Sequence, residues 1–251
     1  MSSAAPSSGS PLVVIGRYAF RYRDALLPVA LVGLAALWSP PGSAAGRRLD
    51  QIAFTAAVGL ALAGQSLRVL VIGLTDIGLG GRNRTAYAEH LVQKGLFGHC
   101  RNPLYVGNAC IQTGMLLAVN HTWAYLIGLP LIALLYRSIV AAEEHFLAGK
   151  FGDAYRDYCA RVPRFGFRLS GLRATLRAAP FDWPRVVRKE YGRPFAWITI
   201  LIAIAIYKDV RTVGFEASLP VIQPALVIWG VAVAAYLVAR TLKKANRLGS
   251  D

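Results

Sequence analysis

The sequence predicts an all-α, polytopic membrane protein of about six transmembrane helices, and three observations predict it. Hydrophobic residues make up 55% of the 251 positions against 16% charged, a balance too apolar for an ordinary soluble domain. Apolar runs recur at lengths that cross the roughly 30 Å hydrocarbon core of a bilayer. The 28 Lys and Arg outnumber 13 Asp and Glu, for a formal charge of +15, and they gather in alternate connectors. In a chain of membrane spans this basic excess points to anionic lipid as a partner and away from nucleic acid.

The elements follow in order. Residues 1–12, rich in Ser, Ala and Pro and without a charged n-region, read as a disordered tail and not as a cleaved signal. Residues 13–64 are expected to form an N-terminal transmembrane hairpin. Its first span covers 25–45, strongly apolar to Trp38 and then disrupted by Pro40-Pro41; its second, 52–74, runs on into a core over 65–167. The polar stretch 75–94 contains Gly78, Gly80 and Gly81 but neither a GxGxxG pattern nor a phosphate-loop lysine, and reads as a flexible connector. Spans at 104–119 and 123–142, joined only by Asn120-His121-Thr122, predict a tight antiparallel hairpin whose ends bring Arg101 to Glu143. Beyond it, Phe151, Tyr155 and Tyr158 recur at helical spacing among charged residues, an amphipathic helix that folds back over the open end.

Residues 168–193 read as basic interfacial helices, with Leu169, Leu172, Leu176 and Ala179 set among Arg168, Arg173 and Arg177. Each such cation gains about 1 kcal/mol near anionic lipid. Residues 194–251 supply a C-terminal transmembrane hairpin, with spans at 194–207 plus flanks and at 219–239, and a basic tail of Arg240, Lys243, Lys244 and Arg247. Arg17, Arg21 and Arg23, then Arg82, Arg84 and Lys94, then the 150–193 region and the tail fall on one side. The connectors opposite are poorer in cations, so both termini are predicted to be cytosolic.

Cys100, Cys110 and Cys159 have neither CxxC spacing nor an even count, so no disulfide framework or zinc site is indicated, and a reducing cytosolic face suits them. The four histidines form no HExxH pair, and no metal is predicted. The informative stretch is His99-Cys100-Arg101-Asn102-Pro103-Leu104-Tyr105, answered by Glu143-Glu144. Ionisable groups at membrane boundaries are costly and mark function, so this clamp suggests a ligand carrying both signs of charge. Plainer roles stand beside that one: an Arg101–Glu143 ion pair closing the hairpin, an ordinary interfacial His99, packing for Tyr155 and Tyr158, and a helix start at Asn102-Pro103. Arg68 and Arg137 read as snorkelling cations, and Arg137, seven residues before Glu144, is a further candidate.

Residues 95–107, Gly95-Leu96-Phe97-Gly98-His99-Cys100-Arg101-Asn102-Pro103-Leu104-Tyr105-Val106-Gly107, resemble the R-[NH]-P-x-Y-x-G signature of membrane methyltransferases. Glu143-Glu144, Phe151-Gly152-Asp153-Ala154-Tyr155-Arg156-Asp157-Tyr158 and Arg161-Val162-Pro163-Arg164-Phe165 are similar to the E-E, F-G-x-x-Y-x-x-Y and V-P-R-[FY] elements that follow in order. The resemblance, over about 65–167, is to the isoprenylcysteine carboxyl methyltransferase and phospholipid N-methyltransferase superfamily. It implies S-adenosylmethionine as cofactor, in a pocket covered by cytosolic helices, with a lipid or other hydrophobic acceptor. Arg101, Glu143 and Glu144 are the implied catalytic residues, and His99, Asn102, Pro103, Leu104, Tyr105, Tyr155 and Tyr158 join them in cofactor binding. Arg101 and backbone N–H groups near Pro103 are expected to hold the ligand carboxylate, Glu143 or Glu144 its ammonium, and the tyrosines its adenosine and sulfonium.

O-methylation and N-methylation both remain open, since a carboxylate acceptor needs little base help whereas an amine must first lose a proton. Abundant Arg and Ala point to a bacterial inner membrane. Two alternatives differ in class: an NADPH-dependent sterol-type reductase sharing R-x-P-x-Y, although its R-D-E-x-x-C segment is missing here, and a non-enzymatic membrane lipid-binding protein.

Overall fold

The computed structural model describes residues 11–36, 38–41, 43–75, 79–82, 85–88, 90–178 and 180–245. Most of the expected N-terminal tail, Gly78, Arg84, Ala179 and Arg247 lie outside them. Helix α1 (Pro11–Ala36) is followed by α2 (Ala44–Leu74), strands β1 (Leu79–Arg82) and β2 (Thr85–Ala88), and a 3-10 turn at Gly95–Gly98. Helices α3 (Pro103–Val119), α4 (Leu129–Arg161), α5 (Leu172–Ala178), α6 (Trp183–Glu190), α7 (Gly192–Val213) and α8 (Leu219–Lys244) complete the order.

Among the described residues, Ala44–Leu74, Ala124–Arg161 and Glu216–Lys244 are long and apolar enough to cross a membrane, and Pro103–Val119 is a shorter apolar helix. The first span differs from expectation. Its helix ends at Ala36, and residues 38–41 leave the helix, inside the range 25–45. The reason is local: Pro40 and Pro41 lack donors, and the residue before a proline is pushed out of helical geometry. The connector also differs, since β1 and β2 pair antiparallel from Leu79↔Ala88 to Arg82↔Thr85. Thr85 and Tyr87 alternate with alanines there, a pattern suited to a pleated ribbon.

Local chemistry explains the helix ends. Ser43 Oγ accepts from Gly46 N at 3.1 Å to start α2. Pro103 occupies the first turn of α3, where its missing N–H costs nothing, and Asn120 closes that helix at φ 48 with its N–H on Leu116 O. A π-helical stretch at Ala124–Gly128 leads into α4. Within α4, Gly152 adopts φ 53 and ψ −124, which breaks the helix and turns the segment bearing Tyr155 and Tyr158 back toward the start of α3.

Helix α3 packs most extensively along α2, and α4 along α1. At the α2–α3 crossing a Cβ on Gly64 would stand 2.5 Å from Gly107 O, so only glycine permits the backbones to come this close. Spans three and four still meet, through the Tyr105 and Tyr136 rings at 5.7 Å. At the C-terminal end of α3, Lys208 Nζ donates to Asp50 Oδ1 at 2.5 Å and to Ala118 O at 2.9 Å, tying α7 and α2 to the last carbonyls of α3. Charged groups thus bind the bundle at the end opposite Arg101.

Candidate functional site

Two segments are laced together beside the N-terminus of α3. Arg101 N donates to Pro163 O at 2.9 Å, and Arg168 N to His99 O at 2.9 Å. Asn102 Nδ2 donates to Arg164 O at 3.1 Å. Residues 99–102 therefore run antiparallel to 163–168, and the V-P-R element becomes one wall of the site. His99 is consumed by this lacing: Nδ1 lies 2.6 Å from Arg168 O, which as a carbonyl can only accept, and Nε2 lies 2.8 Å from Thr175 Oγ1 on α5.

Inside the laced segments stands a buried ion cluster. Arg101 Nη1 is 3.1 Å from Glu144 Oε1, and Arg164 Nη2 is 2.8 Å from Glu144 Oε2. Arg101 Nη1 also donates to Cys159 Sγ at 2.8 Å. Burial, the largest single influence, would lower the Arg101 pKa, but Glu144 together with Cys159 and Tyr155 outweighs it and the net shift is upward, so Arg101 stays a cation. Beside it, burial pushes the Cys100 thiol up to about 11.

The cluster is incompletely satisfied. Arg101 Nε, Arg164 Nε and Nη2, and Glu144 Oε1 are buried without hydrogen-bond partners, so the two ion pairs are close in distance but not aligned as a fork. A second buried pair shows what completion looks like. Arg68 donates from Nε to Glu190 Oε2 at 2.9 Å, from Nη2 to Oε1 at 2.5 Å, and from Nη1 to Asn108 Oδ1 at 2.9 Å and Leu104 O at 3.2 Å. Gln65 Nε2 adds a bond to Glu190 at 3.0 Å, and Trp197 Nε1 donates to Gln65 Oε1 at 3.2 Å. Burial, the largest single influence, opposes the Glu190 charge, yet Arg68 together with Arg193 and Gln65 outweighs it and holds the carboxyl below its ordinary value. The Arg68 group is a finished joint; the Arg101 group has unmet polar atoms.

The remaining candidates divide. Tyr155 is buried, its ring centroid 6.1 Å from that of Tyr158, whose hydroxyl donates to Phe97 O at 2.8 Å. Pro103 is fully buried, and the Leu104 carbonyl serves Arg68. The N–H groups of Tyr105 and Val106 both donate to Asn102 O, so these two are not available to a ligand as the sequence suggested for the backbone near Pro103. Glu143 is half-buried and has its own partners, so the carboxylate that meets Arg101 is Glu144. Arg137 is exposed on α4, whereas Arg68 is buried and does not snorkel. Sequence reasoning passed over Arg164, Cys159 and Glu190. Arg164 had a signal, its place in the V-P-R element; Glu190, 122 residues from Arg68, had none.

Comparison with known proteins adds an independent line. Residues 52–154 match the family model described as phospholipid methyltransferase, consistent with the isoprenylcysteine carboxyl methyltransferase and phospholipid N-methyltransferase superfamily. The nickel-cobalt-cadmium resistance protein NccN of Alcaligenes xylosoxydans xylosoxydans is 34% identical over 97 residues, 38% of this chain and 43% of that protein. The cobalt-zinc-cadmium resistance protein CzcN of Cupriavidus metallidurans is 37% identical over 92 residues, 36% of this chain and 39% of that one. The chain thus spans about two fifths of the length of these relatives. No solved structure gives a significant match.

Proposed function

From the phospholipid methyltransferase match over residues 52–154, we propose that this chain is an integral membrane methyltransferase that uses S-adenosylmethionine and acts on a lipid or other hydrophobic acceptor. The observation that carries the cofactor assignment is the buried Arg101–Glu144–Arg164 cluster with its unmet polar atoms. Cationic donors and one carboxylate suit a ligand bearing both a carboxylate and an ammonium, and charge-assisted hydrogen bonds of this kind are about twice as strong as neutral ones. When bound, the cofactor supplies a methyl group on a sulfonium, activated for in-line displacement. Arg101 would hold the ligand carboxylate and Glu144 the ammonium on the same carbon, with the buried Tyr155 and Tyr158 and the laced 163–168 wall close to the cluster. No protein nucleophile is called for.

A small apolar crevice of about 20 Å³ lies between α1, α3 and α4, with Leu31, Leu34, Met115, Leu116 and Ile132 in its walls, and it would have to widen to take the hydrocarbon part of an acceptor. Along α3 and α4 the Tyr105–Tyr136 pair lies between this crevice and the charged cluster. The topology that goes with this reading has six spans, α1 and α7 joining the four apolar helices, with both termini cytosolic in a bacterial inner membrane. The basic 168–193 region then rests on anionic lipid.

Calorimetry of the purified protein tests the cofactor, and transfer of radiolabelled methyl from S-adenosylmethionine to a lipid extract tests the reaction. Binding of S-adenosylmethionine and label in an organic-soluble product are expected. Binding of NADPH alone would move the chain to the reductase class, and binding of neither would refute the enzyme.

A further inference from the structure

Two arginines surround Glu144, and the surplus cation singles out Arg164. One buried carboxylate is shared between Arg164 Nη2 at 2.8 Å and Arg101 Nη1 at 3.1 Å, so the trio carries a net positive charge. The Nε atoms of both arginines are buried without a hydrogen-bond partner. With Arg164 Nη2 and Glu144 Oε1 also unmatched, three donor atoms stand against one acceptor. Arg68, by contrast, meets three acceptor groups and needs no ligand.

Arg164 is built to reach an acceptor beyond Glu144. Its side chain is 24% exposed against 8% for Arg101, so it is the more open of the two. Its backbone is pinned, because Arg164 O accepts from Asn102 Nδ2 and the neighbouring Pro163 O accepts from Arg101 N. The guanidinium can therefore turn away from Glu144 without loosening the wall that carries it.

We propose that Arg164 is a ligand-binding residue that leaves Glu144 Oε2 to hold, together with Arg101, the carboxylate of the methyl donor. The inference rests on the methyl-donor reading above. The exchange balances charge: one Arg164–Glu144 contact is replaced by Arg164 on the ligand carboxylate and Glu144 on the ligand ammonium. The occupied site thereby gains a charge-assisted contact for each ligand charge.

The test pairs a change in the protein with a change in the ligand. Calorimetry compares the wild type and Arg164→Ala, each with S-adenosylmethionine and with its decarboxylated form, which keeps ammonium and sulfonium but lacks the carboxylate. Arg164→Ala should weaken S-adenosylmethionine about 10- to 100-fold and leave the decarboxylated form within about 2-fold, as expected for one lost charge-assisted bond. Thermal unfolding checks the variant's fold, and Arg164→Met, which retains the aliphatic stem, replaces it if alanine fails to fold. Equal weakening of both ligands, weakening of neither, or a wild type indifferent to the carboxylate would overturn the assignment while leaving the methyl-donor reading intact. A wild type that binds neither ligand would overturn both.

Discussion

Glu144 and Glu143 are adjacent in sequence but unequal in the structure, and the difference makes a prediction at the scale of one side chain. Glu144 is buried between Arg101 and Arg164, whereas Glu143 is half-buried with partners of its own. Glu144→Gln keeps the shape and removes the charge, so methyl transfer should fall by roughly 100-fold or more, and Arg101→Ala should do the same. Glu143→Gln should cost less than about 10-fold. Activity in a radiolabel assay, with gel filtration to confirm folding, checks this; equal losses at 143 and 144 would refute the assignment. Cys100 gives a second residue-scale expectation. A thiol pushed up to about 11 by burial is thiolate in only about one part in ten thousand at neutral pH. A maleimide should therefore leave Cys100 unmodified in the native protein and label it after denaturation, as peptide mass mapping will read.

Between elements, the Arg68–Glu190 joint fastens α6 to α2 and to the first turns of α3, where the Leu104 carbonyl and Asn108 complete it. Removing one partner of a buried pair leaves a stranded charge, so Glu190→Gln should destabilise the fold by about 3–5 kcal/mol, while the double replacement Arg68→Leu with Glu190→Leu should recover most of that. The pH dependence has a definite sign. Because the folded Glu190 pKa lies below its ordinary 4.5, its contribution is fully present above about pH 4.5 and is lost as pH falls through the lower folded value. The melting-temperature gap between wild type and Glu190→Gln should thus stay constant from neutral pH to about 5 and narrow only in stronger acid. A gap that instead widened on acidification would contradict the pairing. None of this joint was legible in the sequence, where Arg68 has the look of a snorkelling cation and Glu190 sits in an unrelated basic stretch. That Arg101 meets the Glu143-Glu144 end of α4 was legible, because a short connector confines the two ends, but the sequence pointed to Glu143 and helix phase puts Glu144 there instead. Arg164 was visible as a motif residue but not as a partner, since its role comes from a loop laced to 99–102 by backbone hydrogen bonds. The break in the first helix was legible, because Pro40-Pro41 marks it in the sequence, and the structure sets the last helical residue at Ala36.

Over the whole molecule, charged groups hold both ends of the bundle: Arg68–Glu190 and the Arg101 cluster at the N-terminal end of α3, Asp50–Lys208 at its C-terminal end. If α3 crosses the bilayer, these ends face opposite compartments, and under the proposed topology the basic loops would put the Arg101 end in the cytosol. Site-directed labelling decides the orientation. Thr122 and Ser170 are both exposed, the first beyond the C-terminal end of α3 and the second just before α5. A membrane-impermeant maleimide applied to intact spheroplasts should label Thr122→Cys and spare Ser170→Cys, which should react only after permeabilisation. Cys100 and Cys159 lie at the Arg101 end and Cys110 within α3, so under the proposed orientation the unmodified protein should remain unlabelled from outside. The reverse pattern would invert the topology, and labelling of both positions in intact spheroplasts would show that α3 does not separate two compartments.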